Sequence, residues 1–505
     1  MRWVLLGVLA LLALYVAAGR AAAPFHGDES TFLWMSRDYD TLVHGSPVQS
    51  LPFSEAPADD YAQWLRVLNG SLHPLSIGLA RETASGEAAE RNAPWIWEMP
   101  AGRETAQWRF NLQTQRLPNS AALAHARWPA TLATLAAIFA CGFIGRRFYG
   151  GSAAGIAATL VLATTPAVLL NGRRALQEGG LLLFSFALLG AGLWVVTRAC
   201  ASNRATPPLP ALLGLGALAG LAVAMKHSLA LGVGVVWIWG LVAGAVSRPA
   251  ASERAGLPSA IAAWVGAGFV ALGVFGFVVP VWWSPARHAL FAGLALAAFG
   301  AALLGRAPRS RAVAMIGLGA VLVAGTSLVQ PAVWSNTARV PATLAELRTR
   351  LLDRQATRYE NHAQPGSRIA AVVRESLGTP AQYYEDPAWV HAQPVLGQIE
   401  RYERLRLGGR GGSVVARSGV ALLCVAGLVA AWTRRRDPAQ WLLLAWWLAP
   451  ALALLANALP WQRYYLVLQP AVALLAGQGA GWLLVRLRER NDAGNDAAEP
   501  ASANA

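Results

Sequence analysis

The chain has 505 residues, of which 55% are hydrophobic and only 14% charged, with 21 tryptophans; such a composition excludes a soluble globular protein. The formal charge of +15 raises nucleic acid as a partner. The arginines, however, cluster in alternate connections between apolar runs, so the basic excess is an orientation signal and no nucleic-acid partner is needed.

In chain order, apolar runs long enough to cross a hydrocarbon core of roughly 30 Å as helix fall at 3–19, 128–144, 152–170, 179–197, 209–225, 228–246, 259–281, 289–305, 313–329, 414–432, 440–458 and 465–485. They predict an all-α polytopic membrane protein with about twelve transmembrane helices. Arg146 and Arg147, Arg198 and Arg204, Arg248 and Arg254, Arg306 to Arg311, Arg434 to Arg436 and Arg486 to Arg490 would face the cytoplasm. Both termini are then cytoplasmic in a multi-pass protein of the cell (inner) membrane. The connections 20–127, 171–178, 226–227, 282–288, 330–413 and 459–464 lie outside. Met1 to Ala23 also fits a cleaved signal peptide, with Arg2 before the apolar run and Ala21-Ala22-Ala23 as a small-residue site. On either reading Asp28 emerges on the outer face.

The first outer loop carries the adjacent acids Asp28 and Glu29. Farther along it, "DYAQWLRVLNG" and "SLHPLSIGLARE" space their apolar residues as short juxtamembrane helices do. Trp95, Trp97 and Trp108 suit the headgroup zone. The loop at 330–413, rich in charge and aromatics, predicts a small extracytoplasmic cap. Cys141 and Cys424 sit inside expected spans and Cys200 at a cytoplasmic end, so no disulfide or metal-ligand spacing is set up. Walker, dinucleotide and HExxH motifs are missing, so any chemistry must draw on a substrate that is already activated.

Several of these stretches together resemble a known group. The Asp-Glu after an apolar span, the His73-Pro74-Leu75 opening a juxtamembrane helix, "ARWPATLATLAAIFACGFIGRRFYGG", "NGRRALQEGGLLLFSFALL", "GLAVAMKHSLALGV" and "WQRYYLVLQP" are similar to the polyprenyl-phosphate-sugar-dependent glycosyltransferases of the GT-C superfamily. That superfamily includes protein O-mannosyltransferases and the aminoarabinose transferases that modify lipid A. The likeness is densest over 20–245. The chain departs from the family in an extra stretch at 81–120, and in having Glu178 where a second-loop aspartate is usual.

The resemblance implies a catalytic transmembrane module over 1–330 that includes the outer loop 20–127. A cap at 331–413, C-terminal transmembrane helices at 414–488 and a disordered cytoplasmic tail at 489–505 complete the expected organisation. It also implies a polyprenyl-phosphate-linked sugar donor, a lipid, glycan or protein acceptor, and a lipid bilayer as surroundings. One carboxylate suffices to take a proton from an acceptor hydroxyl. Phosphate is already a good leaving group and needs fixed positive charge rather than a second acid. Asp28 is expected as the base, with Glu29 as its orienting or substrate-binding neighbour; two solvated acids at a span's end is the plainer alternative.

Lys226 is the only lysine among 42 basic residues. It sits in a tight outer turn, to hold the donor phosphate or to snorkel to the headgroups. Arg173 or Arg174 would meet the phosphate and Glu178 the acceptor or sugar hydroxyls, unless an arginine and Glu178 merely form an i,i+4 pair. Arg463, with Tyr464 and Tyr465, is either a further phosphate contact or an interfacial anchor. His26, His44, His73, His125, His227, His288, His362 and His391 all fall at the outer side. They could supply an imidazole–carboxylate site for a divalent metal ion, although no two have diagnostic spacing; no cofactor and no metal ligand are assigned, and His73 is counted among the substrate-binding candidates, with capping of its helix as the plainer role. A lipid-linked-sugar polymerase or ligase, or a flippase or transporter with ionisable groups near the bilayer midplane, are the alternative functions.

Overall fold

The computed structural model describes residues 2–45, 54, 59–84, 92–97, 104–201, 209–236, 339–385, 389–390, 395–410 and 413–498. Among them the chain is all-helical. The expected spans at 259–281, 289–305 and 313–329, most of 228–246, and His288 and His391 lie outside the described residues.

Helix α1 (Arg2–Ala18) is followed by a group of short helices, α2 (Gly27–Met35), α3 (Arg37–His44), α4 (Asp60–Leu68), α5 (Leu72–Glu82), α6 (Glu104–Gln113) and α7 (Ser120–Ala126). The two juxtamembrane helices expected from apolar spacing are α4 and α5. Five apolar helices follow: α8 (Trp128–Phe148), α9 (Gly151–Ala163), the short α10 (Pro166–Gly172), α11 (Glu178–Ala201) and α12 (Leu209–Met225). The cap contributes α13 (Arg339–Arg358), α14 (Pro365–Ser376) and α15 (Val395–Arg404). The chain then forms α16 (Val414–Thr433), α17 (Pro438–Leu454), a 3-10 turn (Gln462–Leu468) and α18 (Gln469–Ala498).

Among the described residues three helical stretches are long and apolar enough to cross a membrane, 120–148, 414–433 and 462–492; counting the bent pair α9–α10 as one span gives a fourth. Helices α1, α11 and α17 are apolar over shorter lengths. The expected twelve spans are thus matched only in part. One expectation is corrected outright. The run 152–170 is not a continuous helix but bends by 65° between α9 and α10. Pro166 has no N–H to give and drives the preceding residue out of helical conformation, and Thr165 accordingly lies at ψ 122°. At the other end of the chain, α18 runs on through Ala498, into the tail expected to be disordered. The residues involved, Glu489 to Ala498, include good helix formers.

Helix α18 packs against α16 and α9, α8 against α9 and α11, and α11 against α12. Small residues let the backbones close: a side chain at Gly427 would strike the Leu475 carbonyl, and one at Gly479 the Leu423 carbonyl. The outward faces stay apolar, as at Leu11 (69% exposed) and Leu422 (70%), which suits lipid and not water. These contacts gather one set of helix ends: the start of α8, the α10–α11 loop, the end of α12 and the 3-10 turn. The outer region and cap cover them.

Candidate active site

Helix α2 begins at His26, whose Nδ1 accepts the Asp28 N–H at 3.2 Å while Glu29 Oε2 accepts the His26 N–H at 3.0 Å. This capping box satisfies two otherwise unpaired donors of the first turn and fixes the two acids rigidly. Successive helix positions point about 100° apart, so the adjacent carboxylates face different surroundings.

Glu29 points inward and is fully buried. Arg127, at the junction of α7 and α8, grips it with both edges, Nε to Oε1 at 2.7 Å and Nη2 to Oε2 at 2.9 Å. The Ala175 N–H donates to Oε1 at 2.8 Å. Burial pushes this carboxyl up, and the Arg127 charge and these hydrogen bonds reverse that, leaving it below its ordinary value. With four donors on two oxygens, Glu29 has no remaining capacity for a substrate. The expectation of a substrate-binding Glu29 is corrected: the side chain ties α2 to α8 and to the α10–α11 loop.

Asp28 points the other way and keeps 21% of its side chain exposed. Its Oδ1 accepts from Trp97 Nε1 at 2.9 Å and its Oδ2 from Arg463 Nη1 at 2.5 Å. Arg463 Nε lies 3.0 Å from Glu385 Oε1, and Glu385 Oε2 lies 2.9 Å from His26 Nε2. Because His26 Nδ1 is an acceptor, Nε2 carries the proton and donates to Glu385. The four groups close a ring of two acids, a guanidinium and an imidazole. Burial pushes Asp28 and Glu385 up, and Arg463 and His26 together outweigh it in both, so both carboxyls are held low. A wall of aromatic rings, Phe25, Trp95, Trp108, Tyr384 and Trp389, stands behind the ring. Tyr384 stacks on His26 at 5.2 Å between centroids.

A second ion pair joins the cluster. Lys226, just after α12, places Nζ 2.7 Å from Glu178 Oε1 at the start of α11. Glu178 and Tyr464 are both close enough to Arg463 to feel its charge. Arginine-to-Glu178 pairing at i,i+4 is therefore not what the fold uses, and Lys226 is paired instead of reaching for headgroups.

Arg173 and Arg174 are almost fully buried and engaged by the chain itself. Arg173 donates to the carbonyls of Tyr15, Val16 and Leu407 and to the Tyr402 hydroxyl. Arg174 donates to the carbonyls of Pro24 and Tyr383. Arg173 thus joins α1 to the segment around Tyr402 and Leu407, and Arg174 joins Pro24 to Tyr383. His73 is also corrected, since the helix it opens has Ser71 as its N-cap and no side-chain cap. Instead it is buried beside Ala175, and burial lowers it to about 4. It lines a crevice of about 330 Å³ with Pro129, Leu132, Gly180, Leu183 and Met225.

The fold thus unites Asp28, Glu178, Lys226, Arg463 and Tyr464, and sets Glu29, Arg173 and Arg174 behind them as supports. Sequence reading missed Glu385 and Arg127. Arg127 had a signal, a lone arginine at an outer span end against the sidedness of the rest. Glu385, one acid among several in the cap loop, had none. Among the described residues no group of three or more His, Cys, Asp or Glu is arranged to hold a metal ion.

No known protein family's sequence profile matches the chain, and no curated protein sequence does. Among solved structures it is similar to the Archaeoglobus fulgidus oligosaccharyltransferase in its apo form, with 12% identity over 98% of this chain and 52% of that one and a TM-score of 0.46. The same enzyme in complex with Zn and sulfate gives 14% identity, 98% and 51% coverage and 0.45. Its complex with an inhibitory peptide and a dolichol-phosphate gives 12%, 99%, 52% and 0.43. The chain spans about half the length of that protein. Likeness at this level assigns neither family nor activity to the chain.

Proposed function

We propose that the chain is a GT-C-type membrane glycosyltransferase that moves a sugar from a polyprenyl-phosphate donor to an acceptor hydroxyl on the extracytoplasmic face, with inversion. The observation that supports this most is the convergence of one partly open carboxylate, Asp28, with two cations, Arg463 and Lys226, at one end of the apolar helices. A lipid-borne phosphate would present its sugar at that level. A flippase or transporter would instead need its ionisable groups near the bilayer midplane.

In this reading Asp28 takes the proton of the acceptor hydroxyl as its oxygen attacks the anomeric carbon, and the bond to phosphate breaks on the opposite face. Trp97 and Arg463 hold the two carboxylate oxygens, so a remaining lone pair is aimed and not free to rotate. Arg463 and Lys226 stabilise the negative charge collecting on the departing phosphate, and Glu178 keeps Lys226 in place. Tyr464 lies beside the phosphate position. Purified protein incubated with polyprenyl-phosphate sugars and an acceptor-containing envelope extract should release polyprenyl phosphate. Absence of release across hexosyl and pentosyl donors would overturn the proposal.

A further inference from the structure

Glu385 has no role in the reaction above, yet it occupies the cation that the reaction needs. Its Oε1 lies against Arg463 Nε at 3.0 Å, and its side chain is only 14% exposed. A guanidinium offers a planar fork that suits one carboxylate or phosphate along each edge. Here Asp28 takes the Nη1 position and Glu385 the Nε side. A phosphate approaching Arg463 therefore meets an acid already in place.

The two acids are held differently. Asp28 sits in the first turn of α2, locked by the capping box. Glu385 sits in a segment without helix, and the hydrogen bonds that anchor this segment fall on residues 382 to 385. Gln382 and Gln462 exchange reciprocal hydrogen bonds at 2.9 and 2.7 Å, the Tyr384 hydroxyl donates to the Phe25 carbonyl, and the Tyr359 hydroxyl donates to the Glu385 carbonyl. The carboxylate can consequently leave Arg463 by side-chain rotation alone. It would not be stranded, because His26 already donates to its other oxygen at 2.9 Å.

We propose that Glu385 is an intramolecular stand-in for the donor phosphate, a positioning carboxylate that aligns Arg463 and is exchanged for the lipid phosphate when the donor binds. The inference rests on the reading of Arg463 as a phosphate contact. The exchange keeps the guanidinium paired throughout, and the displaced carboxylate keeps the His26 hydrogen bond. In the reverse direction, the returning carboxylate competes with the lipid phosphate product and hastens its departure.

The test is direct binding of polyprenyl phosphate, without sugar, to the full chain in nanodiscs. Glu385→Gln removes the competing charge and keeps the shape, so it should bind about tenfold more tightly than the parent, as expected when an internal competitor is removed. Glu385→Asp keeps the charge but is too short to reach Arg463 and His26 together. It too should bind more tightly, an effect that loss of charge alone does not predict. Glu403→Gln removes a cap acid that bonds Tyr383 and not Arg463, and should leave affinity unchanged. In turnover, Glu385→Gln should show stronger inhibition by polyprenyl phosphate. Binding by the parent with no gain in either Glu385 variant overturns the exchange alone, as does an equal gain in Glu403→Gln. Failure of every form to bind overturns the reading of Arg463 as well.

Discussion

Asp28 and Glu29 are neighbours in the chain and occupy two opposite kinds of surroundings. The Glu29 side is dry and closed: a buried carboxylate, one bidentate arginine and two backbone N–H groups. The Asp28 side is partly open, and its arginine is shared with a second acid and lies near a third. A saturated ion pair can hold parts together but has nothing to offer a substrate. A shared one can exchange partners at small cost, and that is what a site for a charged ligand requires.

The contrast can be broken most forcefully on the dry side. Glu29→Ala leaves Arg127 buried without a partner and should destabilise the protein by about 3–5 kcal/mol. Arg127→Ala should do the same, and the double variant should cost clearly less than the sum, because each single change already breaks the pair. Thermal or denaturant unfolding in detergent measures all three. On the open side, Lys226→Met should lower polyprenyl phosphate release by about 10²- to 10³-fold in the molecules that remain folded; it also leaves the buried Glu178 without its cation and should lower the unfolding midpoint, and Lys226→Arg should keep part of the rate. Normal turnover in the Met variant would remove Lys226 from the phosphate site.

A smaller effect sharpens the same boundary through pH. His73 belongs to the dry side, and burial brings it from 6.5 to about 4. Its folded value is below its unfolded one, so its contribution to stability is complete above pH 6.5 and is lost as pH falls toward 4. The loss should reach about 3 kcal/mol by pH 4. Asp28 and Glu385 are also depressed, so their contribution is intact down to their unfolded values of 3.8 and 4.5 and is lost only below them. His227 is likewise brought to about 4 by burial, so His73→Gln should reduce the slope of the unfolding midpoint between pH 6.5 and 4.5 without abolishing it, and an unchanged slope would show that His73 is not kept neutral by the fold.

Much of this was legible in the sequence, and the limits have physical causes. Apolar length and helical spacing placed α4, α5, α8, α11, α12, α16 and α17 because each property is local. The bend at Pro166 was written in Thr164-Thr165-Pro166 but was overridden by a continuous apolar run. Asp28, Glu178, Lys226, Arg463 and Tyr464 could be singled out as charged or polar groups at span ends. Their partners could not, since Lys226 pairs across 48 residues with Glu178 and Arg463 across 435 with Asp28. Glu29, Arg173 and Arg174 looked equally functional in sequence, and only burial and their carbonyl and arginine partners reveal them as supports.

The most direct test of the division of labour compares Asp28→Asn with Glu29→Gln, following initial rates of polyprenyl phosphate release and thermal unfolding in parallel. Asp28→Asn should lower the unfolding midpoint less than Glu29→Gln does, because Glu385 still faces Arg463, and lose about 10²- to 10⁴-fold in rate. Glu29→Gln should lower the midpoint while the molecules that remain folded turn over at close to the parent's rate. A near-normal rate in Asp28→Asn, or a Glu29→Gln protein that is fully stable yet inactive, would contradict the assignment of chemistry to Asp28 and of support to Glu29.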